Sequence, residues 1–287
     1  MFPAEWIWQA PAKLMGGLPF SLTLMFILLA HEMGHYLYAR HYRVYATLPY
    51  FVPFPSLIGT LGAFIRIRSP IQSRAALFDI GIAGPIAGFI PACVALVVGL
   101  ARSHPIAAAD ASSIQLGFPL AFHLAARALH IAAPLPALSL HPIAVAAWVG
   151  LFATAMNLLP GGQLDGGHIV FSVAPQLHRA ISFLVVLALI PMGNYFWTGW
   201  LLWAVLLAMT VRHPSVPTRH SALGRRRAFA MLAVLMLVLS FTPTPITHSS
   251  GREVWPELRH QARQGLRGAR QVLLGVVHEV RQWLHRK

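Results

Sequence analysis

Cysteine and charged residues are both scarce in this chain of 287 residues. Cys93 is its single cysteine, which excludes an intrachain disulfide framework and a cysteine-rich zinc site. Charged residues make up 10% of the chain, whereas soluble domains contain roughly 25%. Hydrophobic residues make up 56%, and the mean hydropathy is +0.62. The composition therefore indicates a polytopic membrane protein rather than a soluble domain.

Acidic residues number only eight, so few carboxylates are available for chemistry. Three of them lie in or beside apolar stretches: Glu32, Asp79 and Asp165. An ionisable side chain at membrane depth costs free energy and usually serves a function. Any acidic metal ligand within the membrane must come from these three. Asp79 follows Arg74 closely, and we expect it to form an interfacial ion pair or a helix cap.

The formal net charge of +14 comes from basic residues whose distribution favours lipid rather than nucleic acid as the partner. Basic residues cluster between the apolar segments and in the part of the chain after Gly251. Such clusters interact with anionic lipid headgroups and set the topology of membrane proteins. We expect the lipid bilayer as a partner and no nucleic acid.

The apolar runs predict an all-α polytopic membrane protein with about six transmembrane helices, since a spanning helix needs about 20 apolar residues. The predicted spans are Leu18–Arg40, Ala75–Ala101, His141–Leu159, Ala180–Pro191, Tyr195–Val211 and Ala228–Phe241. The fourth is short unless it extends back through residues 167–173, and Pro175 would then kink it.

This pattern divides the chain into three parts. We expect residues 18–245 to form the membrane core and residues 1–17 to be an interfacial leader. In residues 246–287, apolar residues alternate with arginine at near-helical spacing, which predicts a basic amphipathic tail helix. A solvated tail is the alternative for this last part.

Residues 43–70, after the first span, predict short strands or a hairpin at the membrane surface. Ala63, Ile65 and Ile67 alternate with Phe64, Arg66 and Arg68, and glycines punctuate the segment. Alternation of this kind is typical of a strand. An irregular interfacial loop is the alternative reading of the same residues.

The first span contains the sequence His31-Glu32-Met33-Gly34-His35. Positions i and i+4 share one face of an α-helix, so His31 and His35 can bind one metal ion together. Glu32 is then placed to act on a water at that metal. Within an apolar helix the motif is more informative than in a soluble one, because its charged groups are costly there.

Asp165 is the best candidate for a third ligand. Catalytic zinc typically has three protein ligands and an open position for water. Asp165 follows the third span in the segment Asn157-Leu-Leu-Pro-Gly-Gly-Gln-Leu-Asp-Gly-Gly-His168. A segment broken by proline and glycine is tolerated at membrane depth where it lines a wet cavity. A structural turn carboxylate is the alternative for Asp165.

The two motifs closely resemble those of the site-2 protease family of intramembrane metalloproteases. The small-residue segment Phe78–Gly88 and the segment Gly59–Arg66 are also similar to family segments. We expect a compact form without PDZ or CBS domains. The resemblance implies one zinc ion per chain, bound by His31, His35 and Asp165, with Glu32 as the catalytic base. It also implies a transmembrane segment of another protein as the substrate.

Asn157 is a further catalytic candidate that holds the substrate backbone or the reaction intermediate, although a helix-end cap is the alternative. The predicted function is thus a zinc-dependent intramembrane endopeptidase acting in regulated intramembrane proteolysis. The alternatives are a metal-handling or transport protein, a catalytically silent scaffold, and a membrane zinc enzyme of another reaction class. A transporter would have paired repeats and several polar residues along a path, and the sequence has neither.

The distribution of basic residues predicts the orientation. His35 and Asp165 lie at span ends that reach the same side of the membrane. That side also holds many arginines, such as Arg40, Arg43 and Arg74, whereas the other side has few basic residues before the tail. The positive-inside rule then places the site toward the cytoplasm. We expect an integral, multi-pass protein of a bacterial cytoplasmic membrane.

Overall fold

The computed structural model describes residues 15–53, 60–106, 115–216, 223–247 and 254–255. Residues 1–14 of the predicted leader lie outside this set. The same is true of residues 248–253 and 256–287, which make up most of the predicted tail.

The described part of the chain is mostly helical. Its α-helices are α1 (Leu18–His41), α2 (Arg74–Ala101), α3 (Leu120–Ala128), α4 (Pro142–Asn157), α5 (Asp165–Val173), α6 (Pro175–Tyr195), α7 (Gly199–Met209) and α8 (Leu223–Ser240). Local signals explain several starts. Pro19, Pro142 and Pro175 each lie in a first helical turn, where the missing N–H costs nothing. Ser73 caps α2 by accepting a hydrogen bond from the Ala76 N–H at 3.0 Å.

Among the described residues, three helices are long and apolar enough to span a membrane, namely α1, α2 and α6. The predicted number of six transmembrane helices is not confirmed. The shorter apolar helices α4 and α7 have 16 and 11 residues. At 1.5 Å per residue they cover about 24 Å and about 17 Å, less than the roughly 30 Å of a bilayer core.

The fourth predicted span corresponds to α6, which is longer than expected and does not extend back to residue 167. Pro175 begins α6 instead of kinking it, and α5 is a separate short helix before it. Pro191 lies inside α6 and does not end it. Membrane helices tolerate such prolines because neighbouring groups satisfy the freed backbone carbonyls. Helix α3 was not anticipated from the sequence.

The strands predicted within residues 43–70 are present. Strand β1 (Tyr50–Pro53) pairs antiparallel with β2 (Thr60–Phe64), and an isolated bridge joins Ala46 to Ile67. The register places Tyr50 opposite Phe64, with an irregularity before Pro53. A second, unanticipated antiparallel pair joins β3 (His104–Pro105) to β4 (Leu138–Ser139). Strand β2 of the first pair contacts α1.

The packing is centred on α2, which contacts α1, α4 and α5. One core cluster joins α2, α3 and α4 around Phe122 and Leu151. A second joins α4, α6 and α7 around Trp200, which is completely buried. A third joins α2, α5 and α8 around Phe78 and Met236. The helices that carry the sequence motifs, α1, α4 and α5, therefore all rest on one another or on α2.

Arg226 at the start of α8 forms a two-bond ion pair with Asp79 of α2. Its Nε and Nη2 donate to the two carboxylate oxygens at 2.7 and 2.6 Å. The Tyr42 hydroxyl, just after α1, also donates to Asp79. The predicted ion pair at Asp79 therefore exists, but its partner lies on α8 rather than at Arg74. The cluster fastens α8 to α1 and α2 beside a cavity of about 790 Å³.

We predict that Asp79→Asn lowers the free energy of unfolding by about 1 kcal/mol, because it leaves a partly exposed guanidinium without its carboxylate. Thermal unfolding in mild detergent measures this. A double-mutant cycle with Arg226→Met isolates the pair, and Arg227→Met, on the exposed next residue, is the matched control. If Arg227→Met costs as much stability as Arg226→Met, the ion pair does not hold α8 in place.

Candidate metal centre

Three side chains that could bind a metal ion lie close together between α1 and α5. His31 and His35 lie on one face of α1 and are 6% and 7% exposed. Asp165 is the first residue of α5, and its side chain is 14% exposed. Their ligand atoms all lie within 4.8 Å of one another. The structure thus brings together two residues that are close in sequence and one that is far away.

The spacing of the three donors fits zinc. The two imidazole Nε2 atoms are 3.1 Å apart, and Asp165 Oδ2 is 3.3 Å from each of them. Tetrahedral zinc with ligands at 2.0–2.1 Å holds neighbouring ligand atoms about 3.3 Å apart. Two nitrogens and one oxygen also match a catalytic zinc site, which leaves a fourth position open. These three residues could therefore hold one zinc ion.

His35 is oriented for metal binding by the backbone of α2. Its Nδ1–H donates to the Ile80 carbonyl at 2.7 Å. This bond places the ring proton on Nδ1 and leaves the Nε2 lone pair directed at the other donors. Metal-binding histidines commonly have such a partner, which fixes both tautomer and ring orientation.

Glu32 lies beside the donors without belonging to the cluster. It is half-buried on α1, next to His31. The backbone of Ile65, just after β2, is a hydrogen-bonding partner of its carboxylate. The hairpin is therefore tied to the residue that the sequence singles out as a base.

Glycines of α2 make room for the two imidazoles. A Cβ on Gly84 would lie 2.1 Å from His35 Nε2, and one on Gly88 would lie 2.9 Å from His31 Cβ. On the facing helix, a Cβ on Gly34 would lie 2.4 Å from the Ala83 carbonyl oxygen. Small residues permit this close approach of two membrane helices. The small-residue segment noticed in the sequence thus shapes the pocket for the histidines.

Asn157 is brought to the same place. It is the last residue of α4, and its Nδ2 lies 3.3 Å from His31 Nε2. The side-chain amide therefore points toward the donor cluster. Within the described part of the chain, the hydrogen bond of this amide goes to His31 and not to the end of α4, where a helix cap would bond.

The position of Asp165 at the start of α5 follows from the glycines around it. A Cβ on Gly166 would lie 2.3 Å from the Leu158 carbonyl oxygen, so the first turn of α5 rests on the backbone after α4. The helix N-terminus also carries a partial positive charge, which favours a carboxylate in its first turn. Gly166 therefore serves a folding purpose, because the lack of a side chain there lets α5 return to the end of α4.

His168 of α5 forms a hydrogen bond with His213, which follows α7. Burial lowers the pKa of His213, so its ring is neutral at pH 7. Its Nδ1–H donates to the Pro214 carbonyl at 2.7 Å, which leaves Nε2 as an acceptor for His168 Nδ1 at 2.8 Å. The sequence left the role of His168 open and assigned none to His213. The two histidines are 45 residues apart along the chain, so no local sequence pattern indicates the pair.

The comparison with known families agrees with this geometry. A family model described as Peptidase family M50 matches residues 19–196, a range that holds all of the candidate site residues. The chain belongs to peptidase family M50. The resemblance inferred from the two motifs is confirmed.

Named relatives of this M50 protein are plant proteins. The "Probable zinc metalloprotease EGY1, chloroplastic" of Arabidopsis thaliana is 32% identical over 262 residues, which cover 87% of this chain and 45% of the relative. The corresponding protein of Oryza sativa subsp. japonica is 30% identical, with coverages of 87% and 43%. The "Probable zinc metalloprotease EGY2, chloroplastic" of Arabidopsis thaliana is 32% identical, with coverages of 78% and 41%. The chain spans less than half the length of these curated relatives.

We predict that Gly84→Ala strongly reduces zinc retention, because its methyl group would occupy the space of the His35 ring. Zinc content of the purified protein, measured by elemental analysis, tests this. Gly99→Ala is the matched control on the same helix, since its methyl group would meet the Ala144 backbone nitrogen at 2.3 Å, a similarly close contact with α4 instead of with a histidine. Equal zinc retention in Gly84→Ala and wild type would mean that this contact does not shape the site.

Proposed function

We propose that this M50 protein is a zinc-dependent endopeptidase that hydrolyses a peptide bond in or near a transmembrane segment of another protein. The observation that carries the proposal is the convergence of His31, His35 and Asp165 beside Glu32 on a helix apolar enough to cross a membrane. The family match supports a peptidase, and the printed names of the relatives describe zinc metalloproteases. Neither points to a transporter or a silent scaffold.

The three ligands proposed for zinc are His31, His35 and Asp165. When bound at such a site, zinc is a Lewis acid and lowers the pKa of a coordinated water to about 7. The three side chains are largely buried, and the hydrogen bond from His35 to Ile80 keeps one imidazole in its binding tautomer.

Glu32 is the proposed general base and acid. Its carboxylate takes a proton from the attacking water and then gives that proton to the nitrogen of the leaving amine. Water is thereby added across the peptide C–N bond, and the carboxylate returns to its starting state. The neighbouring Ile65 backbone holds this carboxylate on the side of the hairpin.

Asn157 is the proposed substrate-orienting group. Its Nδ2 has hydrogens to donate, and its place 3.3 Å from His31 Nε2 puts them at the edge of the donor cluster. An amide there can donate to the substrate carbonyl while negative charge develops on it.

The substrate must be locally unwound before cleavage, because a helix hides its peptide bonds in hydrogen bonds. We propose that the segment after β2 holds the opened peptide by strand addition. The contact between Ile65 and Glu32 supports this location, since a strand added there would run past the base.

We propose that residues 18–245 form the catalytic bundle, with residues 1–17 and 246–287 at the membrane surface. The arginine-rich ends of the bundle favour a site that opens to the cytoplasm. The bacterial cytoplasmic membrane is our proposed location, whereas the names of the plant relatives place those proteins in chloroplasts.

We predict that purified protein in mild detergent contains about one zinc ion per chain and that both His35→Ala and Asp165→Ala lose it, because a catalytic site needs all three ligands. Elemental analysis combined with a chelator competition measures this. Cys93→Ser is the matched control, since the single cysteine packs against the core cluster of α2, α3 and α4 and is not among the donors. A folded wild type that takes up no added zinc would overturn the proposed function.

We predict that Glu32→Gln retains zinc but slows cleavage by about 10²–10⁴-fold, the usual contribution of a general base. Asn157→Ala should also retain zinc and slow cleavage by about 10²–10³-fold, as expected for a lost donor to developing charge. Both are measured on a transmembrane substrate that the zinc-loaded wild type cleaves. Normal cleavage by Glu32→Gln would show that this proton-transfer scheme is wrong.

A further inference from the structure

The segment between α4 and α5 contains buried backbone N–H and carbonyl groups that lie outside the hydrogen-bonding pattern of a helix. Gly161 and Gly162 are both buried and lie outside regular secondary structure. Gly162 has φ of +59°, a left-handed conformation that glycine adopts without strain. A buried N–H or carbonyl without a partner costs free energy, and at membrane depth water does not supply one. The partners of Gly162 are therefore informative.

Two side chains of α6 hold both backbone groups of Gly162. The Gly162 N–H donates to Ser182 Oγ at 3.0 Å, and His178 Nε2 donates to the Gly162 carbonyl at 2.9 Å. Ser182 Oγ in turn donates to the His178 carbonyl at 2.8 Å. His178 is 2% exposed and Ser182 is completely buried. They lie four residues apart on one face of α6, and we name them the α6 clamp.

The clamped glycine supports the helix that begins with Asp165. A Cβ on Gly167 would lie 2.3 Å from the Gly162 carbonyl oxygen and 2.6 Å from that of Gly161. The first turn of α5 therefore sits directly on the backbone that the clamp holds. On its other side Gly162 is confined by α7, since a Cβ there would lie 2.6 Å from Thr210 Oγ1.

We infer that His178 and Ser182 are positioning residues that set the Asp165 carboxylate relative to the two imidazoles. The inference rests on the proposed zinc site and extends it to α6, which contributes none of the candidate ligands. Asp165 Oδ2 is 3.3 Å from both Nε2 atoms, and a functional site tolerates displacements of only about 0.5 Å. A shift of Gly162 would be passed through Gly167 to this carboxylate.

His178 is thus used as a fixed hydrogen-bond donor and not as a ligand or base. Its Nε2 is occupied by the Gly162 carbonyl. The Phe171 ring meets it edge-on at 5.5 Å and the His213 ring at 5.4 Å, which restricts its rotation. A buried donor in a fixed place is well suited to hold a loop.

The test uses the full-length protein in mild detergent, loaded with zinc or with cobalt(II) as a visible probe of coordination. His178→Phe removes the donor but keeps a ring, and His178→Gln keeps an N–H donor. Ser182→Ala and Ser182→Thr form a milder second pair. We expect His178→Phe and Ser182→Ala to weaken zinc binding about tenfold and to shift the cobalt absorption bands. His178→Gln and Ser182→Thr should restore both toward wild type.

Trp200→Phe is the matched control. Trp200 Nε1 donates to the Pro243 carbonyl at 2.8 Å, so this change also removes a bond from a side chain to the backbone. That bond reaches the chain after α8 and not the loop that carries Asp165. A general loss of stability should affect Trp200→Phe and His178→Phe alike in thermal unfolding, but only the clamp variants should alter the cobalt spectrum.

The outcomes separate the two proposals. Wild-type zinc affinity and an unchanged cobalt spectrum in both His178→Phe and Ser182→Ala would overturn the clamp while leaving the zinc site intact. Failure of the wild type itself to bind zinc or cobalt would overturn the proposed function, and the clamp with it. Weakened binding that His178→Gln restores and Trp200→Phe does not mimic would establish the clamp.

Discussion

The close approach of α1 to α2 is the constraint on which the site depends. Two imidazoles must fit between apolar helices that have no hydrophobic driving force to associate within lipid. Gly34 lets the α1 backbone meet α2 at Ala83, and Gly84 and Gly88 leave the volume that the rings of His35 and His31 occupy. A side chain at any of these places would separate the helices or displace a ring. The positions of the imidazoles are therefore a consequence of helix packing.

A second principle is that hydrogen bonds between side chains and backbone connect the site and its supporting loop to other elements. His35 donates to Ile80 of α2, Glu32 has a partner in Ile65 after β2, and Gly162 is held from α6. Each such bond satisfies a polar group that would be costly to bury alone. Because the partners lie on different elements, the same bonds also fix those elements relative to the donors.

The elements that sequence reasoning described well are the ones determined by local patterns. Helices α1 and α2 begin and end within a few residues of the predicted spans, and the strands fall within residues 43–70. The count of six spans was not confirmed, because α4 and α7 are short and hydropathy alone does not report helix length. Asp79 was assigned to an ion pair, yet Arg226 rather than Arg74 completes it. That partner is far away in sequence and is chosen by the packing of α8.

The spacing of His31 and His35 and the position of Glu32 between them were determined by the sequence alone, because the pitch of a helix relates neighbouring residues whatever surrounds it. The placement of Asp165 and Asn157 beside the two histidines was determined by the tertiary structure, since Asn157 is 126 residues from His31 along the chain. The same holds for His178 and Ser182. Their i, i+4 spacing within an apolar run is a signal in the sequence, but their partner at Gly162 is not. Long-range contacts depend on how helices pack against one another, and no local pattern specifies that arrangement.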